Sequence, residues 1–179
     1  MKKELRQTVL NQMKKLSGKE KEQADNWLTQ HLLSSAAYQK AQVIATYLSM
    51  PHEVSTAAFI KQAQLDGKRV LVPKTYGQGQ MIFVDYDQRH LQKSSFGLME
   101  PTSEEAVDKT EIDLIHVPGV VFNSQGFRIG YGGGYYDRYL ADFAGTSISS
   151  IYSFQQSDFE PDYHDIAVKE VLTYEPHLR

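Results

Sequence analysis

The stretch GFRIGYGGGYYDRYL, Gly126 to Leu140, decides how the rest of the chain is interpreted. It carries four glycines within five residues, and an aromatic pair and a charged pair follow them. Because glycine weakens both helices and strands, such a cluster needs a compensating purpose. The question is what the backbone must approach there that a side chain would obstruct. The four glycines are Gly130, Gly132, Gly133 and Gly134.

Apolar residues at helix and strand spacing surround this stretch. Two helices are predicted at the N-terminus, from Leu5 to Leu16 and from about Ser17, and Thr56 is placed to cap a third that ends at Gly67. A further helix is predicted from the glycine loop to Phe143. Strands are predicted over residues 42–50, 68–73, 81–86, 113–122, 147–154 and 169–175.

Strands that alternate with helices require crossover connections. The alternation predicts an α/β fold with a mostly parallel central sheet and helices on both faces, a three-layer α/β/α arrangement. In such folds, ligands bind beyond the carboxyl ends of the strands. The glycine loop follows a predicted strand and opens a helix, so it is expected at that edge.

Composition narrows the function classes. The chain has 179 residues, which we expect to form one domain over 1–179, and its formal charge of −3 gives no overall attraction to nucleic acid or acidic membranes. The absence of cysteine excludes disulfides and thiolate metal sites. The sequence has no secretory signal and no apolar run long enough to span a bilayer, which favours the cytoplasm.

Two familiar phosphate-binding loops are absent. A P-loop ends in Gly-Lys-Ser/Thr, which does not occur here, and the dinucleotide fingerprint GxGxxG would need glycine where Tyr135 stands. What remains is a loop of bare backbone N–H groups before a helix, an arrangement that suits an anion. A tight turn packed closely against a neighbour explains the glycines equally well, so both interpretations stay open.

The flanking side chains favour phosphate. Arg128 precedes the loop and Arg138 follows it, and guanidinium groups bind phosphate oxygens well. Asp137 lies in the first helical turn, where a carboxylate can hold Mg²⁺ between phosphates or simply complement the helix dipole. Tyr131 and Tyr135 can stack on a flat ring beside the loop, or they can belong to the core.

The segment VPGVVFNSQGFRIGYGGGYYDRYL, residues 117–140, closely resembles the motif of 5-formyltetrahydrofolate cyclo-ligases, also called 5,10-methenyltetrahydrofolate synthetases. KKELR at 2–6, YLSMPHEVST at 47–56 and FGLMEP at 96–101 occur in that family in the same order, so the resemblance covers the whole chain. It implies a fold similar to the sugar isomerase/CoA transferase-like fold.

The resemblance also implies an activity. Members of the family use ATP and Mg²⁺ to close 5-formyltetrahydrofolate into 5,10-methenyltetrahydrofolate. The expected partners are therefore two small substrates, 5-formyltetrahydrofolate and ATP, with Mg²⁺ as the cofactor. No nucleic-acid or membrane partner is expected, and the expected state is a monomer or a weak homodimer.

By the same resemblance, Arg6, Tyr135 and Asp137 take part in catalysis, and Asp137 holds the metal. On the residues alone, Lys2 and Arg6 form a solvated face of the first helix. The implied ATP-binding residues are Lys2, Lys3, Arg6, Arg128, Ile129, Gly130, Tyr131, Gly132, Gly133, Gly134, Tyr135, Tyr136 and Arg138. The implied folate-binding residues are Arg6, Met50, Glu53, Ser55, Tyr131, Gly132, Gly133, Gly134 and Tyr135.

The chain departs from the family pattern at two positions. Ser55 stands where many members carry an acidic substrate-binding residue, and Glu53 is the candidate to replace it. Lys169 stands directly before Glu-Val-Leu, where some members have a second acidic metal ligand, and Asp165 is the nearby substitute. None of the six histidines forms a metal-ligand spacing, so His52 and His116 are expected to be structural or peripheral.

Two other function classes stay open. The fold resemblance also admits a phosphosugar isomerase or an acyl-CoA transferase, although Tyr-Tyr-Asp after the glycines argues against both. A protein that only sequesters folate is the non-catalytic alternative. The intact loop, Arg6 and Asp137 argue against it.

Overall fold

The computed structural model describes residues 1–94 and 97–176, so Phe96 of the FGLMEP motif lies outside the described residues. Within these ranges the chain forms five α-helices and ten β-strands. The helices are α1 (Lys2–Lys15), α2 (Gly18–Ser34), α3 (Ala36–Lys40), α4 (Ala57–Leu65) and α5 (Tyr135–Leu140). The strands are β1 (Val43–Ala45), β2 (Arg69–Thr75), β3 (Met81–Asp85), β4 (Leu91–Lys93), β5 (Met99–Pro101), β6 (Leu114–His116), β7 (Val121–Phe122), β8 (Arg128–Ile129), β9 (Thr146–Tyr152) and β10 (Glu170–Tyr174).

Six strands form the main sheet in the order β10-β9-β6-β1-β2-β3. Four of the five neighbouring pairs are parallel, and only β3 runs antiparallel, at one edge beside β2. The central strand β6 is buried at all three positions, as expected when helices and loops cover both faces of a parallel sheet. The prediction of a mostly parallel α/β sheet is confirmed.

Successive residues of the central strands point to opposite faces and enter different cores. Ile44 of β1 and Leu114 of β6 pack with α2, α3 and α4 on one face. Their neighbours Ala45 and Ile115 pack with Leu140 of α5 on the other face. Helices therefore cover both faces of the sheet. No helix in the described ranges is long and apolar enough to cross a bilayer.

The first helix packs away from the main sheet. Val9 and Met13 of α1 lie against Val120, Val121 and Ile129, so α1 covers the small antiparallel hairpin that β7 forms with β8. This packing brings the polar N-terminal residues of α1 to the end of β8, where the glycine loop begins.

Two predicted strands are shorter than expected. The strand predicted over 42–50 has ladder pairing only at β1, and the strand predicted over 113–122 is divided into β6 and β7. Pro118 and Gly119 lie between the two parts, and proline removes a ladder donor. The glycine loop consequently follows β8 of the hairpin rather than a strand of the main sheet.

Thr56 occupies the N-cap position of α4, but its side chain makes no capping bond. Its hydroxyl donates to the Tyr47 carbonyl at 2.6 Å and accepts from the Ser49 amide at 3.2 Å. The prediction of a side-chain cap is wrong, because the buried hydroxyl instead fixes the loop that follows β1.

His116 of β6 is hydrogen-bonded to β9 and to the residue that follows β1. It bonds Thr46 through Nδ1 and Ser150 through Nε2, each at 2.9 Å, and all three side chains are buried. Burial lowers the pKa of His116 to about 3. The expectation that His116 is structural agrees with this geometry.

We predict that His116 makes the protein less stable in mild acid. An unfolded histidine titrates near pH 6.5, so between about 6.5 and 3 the unfolded chain binds the extra proton and stability falls as pH falls. Between pH 7.5 and 5.5 this group should remove about 1.4 kcal/mol. Urea unfolding at both pH values should show that His116→Asn lacks this loss, whereas His90→Asn, an exposed control, keeps it. An unchanged pH difference in His116→Asn contradicts the assignment.

Candidate active site

A cavity of about 270 Å³ opens at the glycine loop. It is formed by residues from α1, from the segment 118–137 and from the loop before β10. The lining residues are Lys2, Arg6, Pro118, Arg128, Ile129, Gly130, Tyr131, Gly132, Gly133, Gly134, Tyr135, Tyr136, Asp137, Asp162, His164 and Asp165. The structure thus brings most of the implied ATP-binding residues together, although they lie far apart in sequence.

Arg6 joins the first helix to the loop. Its Nε donates to the Gly130 carbonyl at 2.7 Å, across 124 residues of sequence. Lys2 lies one helical turn earlier, and its Nζ is 3.3 Å from a carboxylate oxygen of Asp162 and 3.8 Å from one of Asp165. Two cations of α1 therefore reach the cavity, and their spacing of four residues places both on one face of the helix.

The glycine loop presents open backbone. Gly132, Gly133 and Gly134 are exposed, and within the described residues their amides donate no hydrogen bond to protein groups. Gly132 and Gly134 have φ of +106° and +71°, a region that glycine enters without strain. At Gly133, a Cβ atom would lie 2.4 Å from the Tyr135 ring. The glycines thus satisfy a turn and a close approach, and the open amides also suit an anion.

Arg128 lies behind the loop and is only 7% exposed. Its Nη2 is 3.8 Å from Asp137 Oδ1, and its guanidinium lies over the Tyr136 ring at 5.3 Å. Burial lowers the pKa of the Arg128 guanidinium, while the charge of Asp137 opposes that shift. Nε of Arg128 has no hydrogen-bond partner in the described part of the chain. A buried cation with an unpaired donor favours an additional anion nearby.

Carboxylates face these cations. Asp137 Oδ1 accepts the Ile166 amide at 3.1 Å, which fixes the side chain at the start of α5. Asp162, His164 and Asp165 form a second group, whose ligand atoms lie within 4.8 Å of one another. Sequence reasoning found no metal-ligand spacing among the histidines and did not single out His164, which lies in this group. The compact spacing Asp-x-His-Asp was the available signal.

Glu53, a folate candidate in the loop after β1, is hydrogen-bonded to the glycine loop. Glu53 is 5% exposed, and its carboxylate accepts the Met50 amide at 2.7 Å and the Tyr131 hydroxyl at 3.0 Å. Burial raises the pKa of Glu53, while these two donors oppose the rise. The loop after β1 and the glycine loop therefore meet here.

Five predicted site residues do not line the cavity in the described structure, namely Met50 and Glu53 in the loop after β1 and also Lys3, Ser55 and Arg138. Lys3 is exposed on α1, and Ser55 borders a shallow depression with Lys21 and Asp25. Arg138 Nη1 donates to the Gly133 carbonyl at 3.1 Å, so it braces the loop from outside. Lys169 donates to the Gly145 carbonyl at 2.9 Å.

Tyr135 and Tyr136 begin α5 with different surroundings. The Tyr135 hydroxyl donates to the Tyr76 carbonyl at 3.0 Å, which ties the loop to the end of β2. Tyr136 packs against the core beside Phe83, and burial raises its pKa well above the ordinary range. Tyr135 therefore lies at the wall of the cavity, whereas Tyr136 mainly supports it.

A family model described as the 5-formyltetrahydrofolate cyclo-ligase family matches residues 1–174. The chain belongs to this family. A 5-formyltetrahydrofolate cyclo-ligase of Haemophilus influenzae is 29% identical over 93% of this chain and 96% of its own. The mouse protein of the same name is 30% identical over 94% of this chain and 91% of its own.

Solved structures of cyclo-ligase relatives share the fold. A 5,10-methenyltetrahydrofolate synthetase from Mycoplasma pneumoniae superposes with a TM-score of 0.79 at 28% identity, over 96% of this chain and 97% of that chain. The synthetase of Aquifex aeolicus gives 0.83 at 32% identity, over 96% and 89%. The resemblance inferred from the glycine motif is therefore confirmed for the family and for the fold.

The left-handed backbone conformation of Gly134 leads to a prediction about the stability of the protein. Gly134→Ala places a Cβ at φ +71°, and that conformation costs an L-residue roughly 1–2 kcal/mol. Urea unfolding should show this loss. Gly77→Ala is the matched control, because a Cβ there meets no atom within 4 Å and the φ is ordinary. Equal stability of the two variants contradicts the left-handed conformation at Gly134.

Proposed function

We propose that the protein is an ATP- and Mg²⁺-dependent 5-formyltetrahydrofolate cyclo-ligase. It closes 5-formyltetrahydrofolate into 5,10-methenyltetrahydrofolate and releases ADP and phosphate. Family membership supports the activity, and one observation supports the use of ATP: the open amides of Gly132–Gly134 lie in the same cavity as three cations. These cations are Lys2, Arg6 and Arg128.

The chemistry explains why phosphate-binding groups are needed. A formyl amide carbonyl is a poor electrophile, and its oxygen is a poor leaving group. Transfer of the terminal phosphoryl group to that oxygen makes it part of a phosphate ester. The N10 amine then attacks the formyl carbon and gives up its proton as the ring closes, and phosphate leaves with the former formyl oxygen. Such a sequence depends on positioning and charge neutralisation more than on a protein nucleophile.

The residues divide between the two substrates. The amides of the glycine loop hold the phosphates of ATP, and Lys2 and Arg6 approach from α1. Arg6 is assigned to the phosphoryl group in transfer, because its Nε bond to the Gly130 carbonyl fixes the guanidinium beside the loop. Met50 and Glu53 hold the pterin, with Tyr131 and Tyr135 bordering it.

The cavity residues fit Mg²⁺. Its preferred ligands are carboxylate oxygens, and three carboxylates line the cavity. Asp137 and Asp165 would hold the ion, while Asp162 is the carboxylate closer to Lys2, at 3.3 Å against 3.8 Å for Asp165. When bound, Mg²⁺ would neutralise charge on the phosphates. Lys169 contributes nothing here, because its ammonium group bonds the Gly145 carbonyl outside the cavity.

The activity itself is tested directly. Purified protein mixed with MgATP and 5-formyltetrahydrofolate should develop the near-ultraviolet absorption of the conjugated methenyl product. Mixtures that lack ATP, or that contain EDTA, should not. Product formation without ATP contradicts the proposed dependence, and absence of product in the complete mixture contradicts the activity.

We predict that Asp137→Asn lowers kcat by about 10²-fold or more while the protein stays folded. The amide oxygen of Asn can still accept the Ile166 N–H, so the loss of stability should be about 1–2 kcal/mol, from the weakened pairing with Arg128. Asp142→Asn, which changes an exposed carboxylate at the end of α5, is the control. Full turnover by Asp137→Asn at ordinary Mg²⁺ concentrations removes Asp137 from the metal site.

We predict that Arg6→Ala lowers kcat by roughly 10²-fold and changes the KM for folate much less. A donor aimed at charge that develops during transfer acts mainly in the transition state. Lys15→Ala, an exposed change at the other end of α1, should keep both constants. If Arg6→Ala only lowers the melting temperature, the side chain is a structural brace for Gly130.

A further inference from the structure

A chain of hydrogen bonds crosses the site between the loop after β1 and the glycine loop. His52 Nε2 lies 2.8 Å from the Tyr131 hydroxyl, and that hydroxyl donates to Glu53 Oε2 at 3.0 Å. The other carboxylate oxygen of Glu53 accepts the Met50 amide at 2.7 Å. His52 and Tyr131 are separated by 79 residues, so only the fold brings them together.

The direction of each bond follows from the acceptor at its end. A carboxylate accepts, so the Tyr131 hydroxyl proton points to Glu53. The hydroxyl oxygen then has a lone pair left for His52, and the imidazole must donate through Nε2–H. The chain is therefore complete only when a donor stands at the His52 position.

The side chain of Tyr131 is placed to tie the glycine loop to another part of the protein. It lies between Gly130, whose carbonyl accepts the Arg6 bond, and Gly132, whose φ is +106°. Three exposed glycines follow it, and glycine loses the most conformational freedom when its backbone is fixed. Among residues 131–134, only Tyr131 carries a side chain that can tie this part of the loop to another element.

We propose that His52 is a positioning residue, which acts through Tyr131 to hold the glycine loop in its anion-binding conformation. This inference rests on the proposed function for its effect on ATP, but the ordering of the loop does not depend on it. His52 touches neither the phosphates nor the reacting atoms. With His52, two hydrogen bonds hold the Tyr131 hydroxyl, and without it only the bond to Glu53 remains.

The surroundings of His52 favour the neutral imidazole that this role needs. Its side chain is partly buried, and its ring meets the Tyr131 ring edge-on, with centroids 6.1 Å apart. Burial, and then the charges of Lys14 and Lys21, lower the pKa of His52. The neutral imidazole has one N–H, and the bond to Tyr131 determines that this proton lies on Nε2.

Two substitutions of His52 distinguish the effect of its N–H donor from the effect of its ring. His52→Phe keeps a ring beside Tyr131 and removes the donor, whereas His52→Gln places an amide N–H near the position of Nε2. Tyr131→Phe removes both hydrogen bonds that the Tyr131 hydroxyl makes. His90→Phe is the matched control, because His90 is an exposed histidine that pairs with Asp87 in the turn after β3.

The primary measurement is the ¹⁵N order parameter of the Gly132–Gly134 amides without any ligand. An ordered loop gives values near 0.85, and a flexible loop gives values below about 0.6. We expect Tyr131→Phe to fall below about 0.6, His52→Phe to reach about 0.7, and His52→Gln and His90→Phe to stay at the wild-type value. The double variant His52→Phe/Tyr131→Phe should be no more mobile than Tyr131→Phe alone.

The second measurement is the KM for ATP. Because one neutral hydrogen bond is lost, His52→Phe should raise it about fivefold with kcat within about twofold, and His52→Gln should restore it. The proposal is overturned if the loop amides of His52→Phe keep the wild-type order parameters. It is also overturned if His52→Gln and His52→Phe have equally mobile loops, or if the double variant is more mobile than Tyr131→Phe alone. If no variant, including wild type, turns over folate, the proposed function fails, and the order parameters still decide the role of His52.

Discussion

The hydrogen bond from Arg6 to the Gly130 carbonyl connects the two parts of the chain that the site requires. It depends on apolar packing one and two turns further along α1, where Val9 and Met13 lie against Ile129. Ile129 directly precedes Gly130, so the same contact that buries α1 also sets the distance between guanidinium and carbonyl. The first helix is thus both a cover for the hairpin and the source of the site's N-terminal cations.

Charge in the cavity is nearly balanced before any ligand enters. Lys2 pairs with Asp162 and Asp165, and Arg128 lies near Asp137. If ATP binds here as proposed, its polyphosphate would bring negative charges for the cations to pair with, and the carboxylates would become available for a divalent ion. An arrangement of this kind suits a substrate that arrives together with its metal.

Much of the fold and of the site could be predicted from sequence, because the relevant signals are local. Helical spacing placed Lys2 and Arg6 on one face of α1, and the glycines with Arg128 and Asp137 marked the loop. Sequence reasoning failed on the direction that two side chains take. Arg138 was expected at the phosphates but turns back to the Gly133 carbonyl, and Ser55 faces Lys21 and Asp25 rather than the cavity.

The sequence by itself determined the family, the α/β class and the position of the glycine loop, since strand and helix periodicity and the clustering of glycines are properties of neighbouring residues. Only the tertiary structure decided which groups share the cavity. Asp162 and His164 joined it, and the bridge between Tyr131 and Glu53 formed, because crossover connections bring segments 78 residues apart to one edge of the sheet. A local sequence pattern does not determine how close these segments lie in space. The packing of β1, β6 and the β7–β8 hairpin determines it.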